Sequence, residues 1–316
     1  MVDERMPPPT TDVSIVIPAY NESDSLPELL GRIDEVLRAA GFSYEVWVVD
    51  DGSRDGTFAV VSEIAKTRPE IHGVALRRNF GKSAALSAGF ARARGRLVVT
   101  MDADLQDDPA EIPLLLAEIA KGSDLVSGWK QDRQDGFVKN KSSKVFNWVT
   151  SLATGLRLHD FNCGLKAYRA EVIQAVRVYG EMHRFIPAMA HLQGFRVTEV
   201  RVRHHRRRHG RTKYGPNRFL NGFLDLLTLL FLNSRSTSPL HFFGRVGLFM
   251  FVVGALINGY FLGEWILGHG LRVRPLLLLG VVLLIMAVQF VSLGLVAELI
   301  VSGRHPERDY HVRSEI

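Results

Sequence analysis

Four short apolar runs mark the first hundred residues of the chain, at 14–17, 45–49, 73–76 and 97–101, each of strand length. Between them, residues 26–40, 57–66 and 82–94 carry apolar positions at helical spacing, and Gly41 closes the first of these stretches. Short β-rich runs alternating with such helices predict an α/β domain built on a mostly parallel sheet with helices on both faces. Ligands of sheets like this bind beyond the carboxyl ends of the strands. Polar clusters follow three of the four runs, so one sheet edge is the expected site.

The pattern changes after residue 218. The run 246–268 has Glu264 as its only charge, and 275–297 has none. At a rise of about 1.5 Å per residue, each is long enough to cross a bilayer core of about 30 Å. Core helices of soluble proteins rarely stay apolar on every face for that length, so a transmembrane hairpin turning at 269–274 is expected. Ahead of it, Phe219, Leu220, Phe223, Leu224, Leu226, Leu227, Leu230 and Phe231 alternate with Asn221, Asp225 and Thr228. That stretch is too short to span and predicts an amphipathic helix in the membrane interface. The expected division is a tail at 1–12, a soluble domain at 13–216, a juxtamembrane helix at 217–240, the hairpin within 241–302 and a tail at 303–316. Residues 1–12 lack the apolar stretch of a signal peptide, which predicts a cytoplasmic soluble domain. Arg235, Arg245, Arg304, Arg308 and Arg313 flank the hairpin in agreement, while Arg272 and Arg274 in its turn oppose that orientation.

Composition sharpens this picture in two places. A single cysteine excludes a disulfide framework and any zinc site made of several thiolates. A net charge of +6 calls for an anionic partner, and residues 201–213 alone hold seven Lys and Arg with no acid. No aromatic residue interleaves that run before Tyr214, which argues against nucleic acid as the partner. Lying just ahead of the interfacial stretch, the run suits membrane lipid headgroups or a lipid phosphate.

Candidate chemistry gathers at the strand ends. After the fourth run, Asp102, Asp104 and Gln106 offer hard oxygen donors at alternate positions, a set suited to Mg2+ or Mn2+ completed by a substrate phosphate. Asp108, just before Pro109, is placed to cap the next helix. Pro18, Ala19, Tyr20 and Glu22 follow the first run, with Tyr20 supplying a face for stacking. Asp50, Asp51 and Ser53 follow the second and are able to accept from a base or a ribose, while Asp55 is expected only to cap a helix. The loop 77–83 is no P-loop, because Leu76 stands where its first glycine is required. It leaves Lys82 at a helix N-terminus, either a phosphate contact or a solvated lysine. Asp160 is an isolated carboxylate among apolar neighbours, and Cys163 reads as a small buried filler.

These strings together resemble family 2 glycosyltransferases of the GT-A fold: IVIPAYNE at 15–22, VVDDGS at 48–53, NFGK at 79–82, MDADLQ at 101–106 and DFNCGLK at 160–166. Arg207, Gly210, Lys213 and Tyr214, with the terminal hairpin, are similar to the polyprenyl-phosphate branch of that family. The resemblance implies an inverting transfer of a hexose or related sugar from a nucleotide-diphosphate sugar to a polyprenyl phosphate. It implies that Pro18, Ala19, Tyr20 and Glu22 line the nucleotide pocket, that Asp51 binds the base, and that Asp102, Asp104 and Gln106 hold the cation. Asp160 would stand near the reacting centre, and Arg184, Arg207 and Lys213 would meet the acceptor or donor phosphates. The dense arginine run around Arg207 departs from the family pattern. Two other readings are a transferase for a different lipid or polysaccharide acceptor, and a non-catalytic anion-binding membrane protein. Gly244, Gly247, Gly254, Gly259 and Gly263 predict a homo-oligomer joined through the membrane helices.

Overall fold

The structure, a computed structural model, describes residues 10–130, 147–176, 178, 180–205, 239–268 and 274–302. The chain divides into two compact units, Met1–Leu230 and Phe231–Ile316.

In the first unit, β1 (Thr11–Ala19), β2 (Tyr44–Asp50), β3 (Ile71–Ala75) and β4 (Gly95–Thr100) alternate with α1 (Leu26–Ala39), α2 (Thr57–Ala65) and α3 (Lys82–Phe90). There follow α4 (Ile112–Ala120), β5 (Leu125–Lys130), β6 (Lys166–Arg169), α5 (Ala170–Ala175), α6 (Ile186–Leu192) and β7 (Val197–Val202). The seven strands form one sheet in the order β3-β2-β1-β4-β6-β5-β7. Strand β6 is antiparallel to both β4 and β5, and every other pairing is parallel. The expected mostly parallel sheet is therefore present, with three strands that the apolar runs did not announce.

Both faces of the sheet are covered. Val13, Ile15 and Ile17 of β1 point into a core with Leu29 and Ile33 of α1 and Leu115 and Ile119 of α4. Val16, between them, points the other way, toward Phe90 of α3, Tyr168 of β6 and Ile186 of α6. A strand buried on both sides reads as an unbroken apolar run, which is why β1 was conspicuous in the sequence. Strand β3 begins two residues before the expected 73–76, because Ile71 pairs with Val46 of β2.

The second unit is a helical hairpin, α7 (Pro239–Ile266) and α8 (Pro275–Ser302). Its apolar stretches, Leu240–Ile266 and Pro275–Leu299, are long enough to span a bilayer. The first starts ahead of the expected 246, where Glu298 of α8 accepts from the free Leu240 N–H at 3.2 Å. Gly254 and Gly280 let the two backbones approach, and Asn258, inside the apolar stretch, donates to the Gly254 carbonyl at 2.8 Å. Of the five glycines read as an association surface, Gly247 and Gly254 pack within the hairpin, while Gly244, Gly259 and Gly263 face open space. The interfacial stretch 218–233 and the tails 1–9 and 303–316 lie outside the described residues.

Candidate active site

The ends of β1, β2 and β4 open on one cleft of about 360 Å3, lined by Pro18, Ala19, Tyr20, Glu22, Asp51, Lys82, Asp102 and Asp104. Asn79, Gly81, Ala85, Ala103, Glu181 and His183 complete its wall. Eight residues singled out in the sequence thus meet in one place.

The first two loops are laced together by their backbones. Asn21, in a left-handed conformation (φ 53°), donates its N–H to Ser53 Oγ at 2.8 Å and accepts from Arg54 N at 2.9 Å. Glu22 N donates to Thr57 Oγ1, and Ser23 N to Asp55, at 2.9 and 3.0 Å. Asp55 also accepts from Thr57 N at the start of α2, although Gly56 holds the N-cap position, so it serves both the helix start and the join to Ser23. Burial alone would raise the Asp55 pKa, but the hydrogen bonds from Thr57 and Ser23 outweigh it and lower the value to about 2.

Asp50 and Asp51 differ from one another in use. Asp50 accepts from Ser53 N at 2.9 Å and closes the turn, and neither it nor Ser53 lines the cleft. Asp51 accepts from Phe80 N at 2.7 Å and Gly81 N at 2.9 Å, fixing the basic loop across from it. Gly52 makes that approach possible, since a Cβ there would lie 2.4 Å from the Arg78 backbone.

The β4 end is built differently. Asp102 leaves the strand into the cleft and is ion-paired with Lys82 at the N-terminus of α3. A Cβ at position 164 would fall 2.6 Å from the Asp102 carboxylate, so the glycine there lets the chain 162–164 pass against it. Asp104, two residues on, accepts from Gln106 N at 3.2 Å across a turn in which Leu105 has φ 60°. Gln106 itself turns its amide toward His204 Nε2, 3.5 Å away, and the His205 carbonyl, 3.4 Å away, and does not line the cleft. Asp108 accepts from Ala110 N at 3.0 Å, the helix cap that Pro109 predicted.

Behind Asp102 a small chamber is lined by Lys82, Lys166, His183 and Arg184. Sequence reasoning passed over Lys166, although it closes the DFNCGLK string, because an isolated lysine carries no spacing signal. Lys166 is buried and donates to the Cys163 carbonyl. Burial pulls its pKa below the usual lysine value, and the nearby charge of Lys82 adds to this. His183 was passed over too; its ring Nδ1 lies 3.0 Å from Ser83 Oγ of α3. Arg184 is buried and paired with Glu181 at 2.9 Å. Asp160 is buried outside the cleft lining, and accepts from Asn162 N at 3.0 Å. Arg207 and Lys213 lie outside the described residues.

Among the described residues, no three His, Cys, Asp or Glu side chains form a ready metal cage. Asp102 and Asp104, facing one cleft, still fit a hard divalent cation of the kind held by one or two carboxylates and otherwise by water and substrate phosphate.

The model of the family described as Glycosyl transferase family 2 matches residues 14–177. Over 300 residues the chain is 40% identical to a dodecaprenyl-phosphate galacturonate synthase of Rhizobium johnstonii, covering 93% of this chain and 89% of that one. An undecaprenyl-phosphate 4-deoxy-4-formamido-L-arabinose transferase of Pseudomonas fluorescens is 41% identical over 252 residues, covering 79% of this chain and 72% of its own. Among solved structures, mannosyl-3-phosphoglycerate synthase from Rubrobacter xylanophilus shares the fold at TM-score 0.56 and 17% identity, over 71% of this chain and 74% of that one. Glucosyl-3-phosphoglycerate synthase from Mycobacterium tuberculosis, solved with Mn2+ and UDP-glucose, shares it at TM-score 0.52 and 19% identity, over 70% and 79%.

Proposed function

The chain belongs to glycosyl transferase family 2, and from that membership we propose that it transfers a sugar from a nucleotide-diphosphate donor to a polyprenyl phosphate, with inversion at the anomeric carbon. The observation that carries the reading is the pair Asp102 and Asp104 at the mouth of a cleft shared with Pro18, Ala19, Tyr20, Glu22 and Asp51. Two relatives of similar length are named for polyprenyl-phosphate sugar transfer, which supports the acceptor class.

The chemistry is a single displacement. A phosphate oxygen of the acceptor attacks the anomeric carbon, the bond from that carbon to the diphosphate oxygen breaks, and the nucleoside diphosphate departs with the electron pair. A phosphate monoester has its second pKa near about 6, so the nucleophile is already mostly dianionic at neutral pH and needs no base. The protein's work is to bring two anionic groups together and to stabilise the charge that develops on the leaving group. Lys82 supplies positive charge beside Asp102 at the N-terminus of α3. Asp102 and Asp104 would hold Mg2+ or Mn2+, which when bound neutralises the donor diphosphate as a Lewis acid. Pro18, Ala19, Tyr20 and Glu22, which line the cleft, are assigned to the nucleotide pocket, and Asp51 to the base. Arg184, Arg207 and Lys213 are assigned to the phosphates, and Asp160 to orienting the sugar or an arginine rather than to taking a proton.

The acceptor is a membrane lipid, and α7 and α8 are long and apolar enough to span the membrane that dissolves it. We place residues 13–216 as the catalytic domain on the cytoplasmic face and the hairpin as its anchor, with self-association through the outward glycines of α7. The test is direct. Membranes holding the protein are given labelled nucleotide sugars, beginning with nucleotide forms of the sugars named in its relatives, and extracted lipid is assayed for label with and without polyprenyl phosphate. Labelled lipid that depends on the added acceptor and vanishes with EDTA supports the proposal. Labelled polysaccharide, or no transfer from any donor, refutes it.

A further inference from the structure

Past Gln106 the acidic loop makes a contact that the transfer chemistry does not use. Asp107 is fully buried, 0% exposed, although it sits in a loop. Its carboxylate lies 2.6 Å from the Lys130 Nζ at the last residue of β5, and 3.8 Å from His204 Nδ1 just beyond β7. The backbone repeats the join. Asp107 and His204 form an antiparallel bridge, and His205 N donates to the Gln106 carbonyl at 2.8 Å. Asp108 adds His205 Nε2 at 3.0 Å and Arg32 at 2.7 Å.

One carboxylate therefore ties together three stretches of chain: the loop that carries Asp102 and Asp104, the end of β5, and residues 203–205. Residues 203–205 belong to the basic run 201–213, and His205 is its last described residue. Burial opposes ionisation of Asp107, yet Lys130 and His204 hold its carboxyl far below the usual range. Burial opposes the Lys130 charge as well, and Asp107 holds it well above the usual lysine value.

A buried ion pair is a weak source of stability, since apolar side chains of similar volume do as well or better. It does supply direction. The ion pair to Lys130 at 2.6 Å fixes one distance, and the backbone bridge with the His205 N to Gln106 carbonyl bond fixes the pairing, whereas apolar surfaces slide over one another. We propose that Asp107, through Lys130 and His204, is a positioning residue that fixes the register between the acidic donor loop and the root of the basic run. Loss of this join is expected to weaken use of the acceptor. This rests on the reading of the basic run as the acceptor-phosphate segment.

The experiment uses the full-length protein in membranes. Asp107→Asn removes the charge alone, and the double variant Asp107→Leu with Lys130→Met removes the pair together, which keeps the test alive if the single variant does not fold. For the double variant we expect thermal melting at or above the wild-type temperature and an unchanged Kd for UDP with Mn2+. We expect its KM for polyprenyl phosphate to rise about tenfold, with kcat held within about twofold. Wild-type KM values for both substrates overturn the proposal. So does a loss of kcat that follows the folded fraction with KM unchanged, since that marks a structural role only. Arg207→Gln, measured in parallel, tests the premise separately. If it leaves the acceptor KM unchanged, the acceptor reading of the run fails and the proposal falls with it; if it raises that KM while the double variant does not, the register role alone is overturned.

Discussion

Two pairs of aspartates stand at strand ends on either side of β1, Asp50 and Asp51 at the end of β2, Asp102 and Asp104 after β4, and they are used in different ways. Asp50 and Asp51 accept from the backbone N–H groups of Ser53, Phe80 and Gly81, so their hydrogen bonds build the wall of the cleft. Asp102 meets a mobile-ended cation, Lys82, and Asp104, which accepts from Gln106 N of its own turn, shares the same cleft. A carboxylate committed to main-chain donors is architecture, because its removal leaves those donors stranded. A carboxylate facing an ammonium across a cleft is exchangeable, because another cation can take the place. The difference lies in the partner, which the spacing of acids along a sequence does not reveal.

Substitutions test this contrast directly. Asp102→Ala with Asp104→Ala is expected to lower transfer at least about a thousandfold while leaving the melting temperature within a few degrees. A variant that still makes glycolipid would erase the contrast. Asp51→Ala is expected to differ by costing about 2 kcal/mol of stability as two amide donors lose their acceptor, besides weakening donor binding at the cleft it lines. Chemical denaturation reads that loss, and an unchanged midpoint would place Asp51 with the exchangeable acids. Asp160→Asn is expected to reduce kcat about tenfold, equally at pH 6 and pH 8. A loss that appears only where a base must be ionised would make Asp160 a proton acceptor.

The smallest effect concerns acid stability. The folded-state pKa of Asp55 is depressed to about 2, against an unfolded value near about 3.9. Its stabilising contribution is therefore present above about pH 4 and is lost as pH falls toward 2. Because the side chain is exposed, the size is small. Asp55→Asn should be slightly less stable than wild type at neutral pH, with the gap closing below pH 4 in urea titrations. A gap that widens in acid would mean that the hydrogen bonds from Thr57 and Ser23 do not favour the charged form.

Much of the first hundred residues was legible because β1, β2 and β4 are buried strands flanked by helices, which gives continuous apolar runs and clear breaks. The loops of the site were legible for the same reason, since they start where those runs stop. Strands β5 to β7 were not. Strand β6 has only four residues, two of them basic, and takes its place by pairing with β4 and β5 on either side. β7 alternates polar and apolar residues without a buried run of its own. The chamber behind Asp102 was hidden because Lys166 and Arg184 come from separate segments, and only the fold makes them neighbours. Gln106 stood in line with the two aspartates by spacing, yet the bend at Leu105 turns it to His204 and His205. Asp107 looked like one more acid of a polar loop, and nothing near it in the chain announces Lys130 or His204.

The chain's one cysteine, Cys163, lies 1% exposed against Gly128, and burial raises its thiol pKa to about 12. At neutral pH the sulfur is protonated and shielded from alkylating reagents. A fluorophore or spin label directed at a cysteine newly introduced on the surface would therefore react at that position alone. Distances between the basic run and the cleft become measurable in the otherwise native protein, with no background residue to remove first.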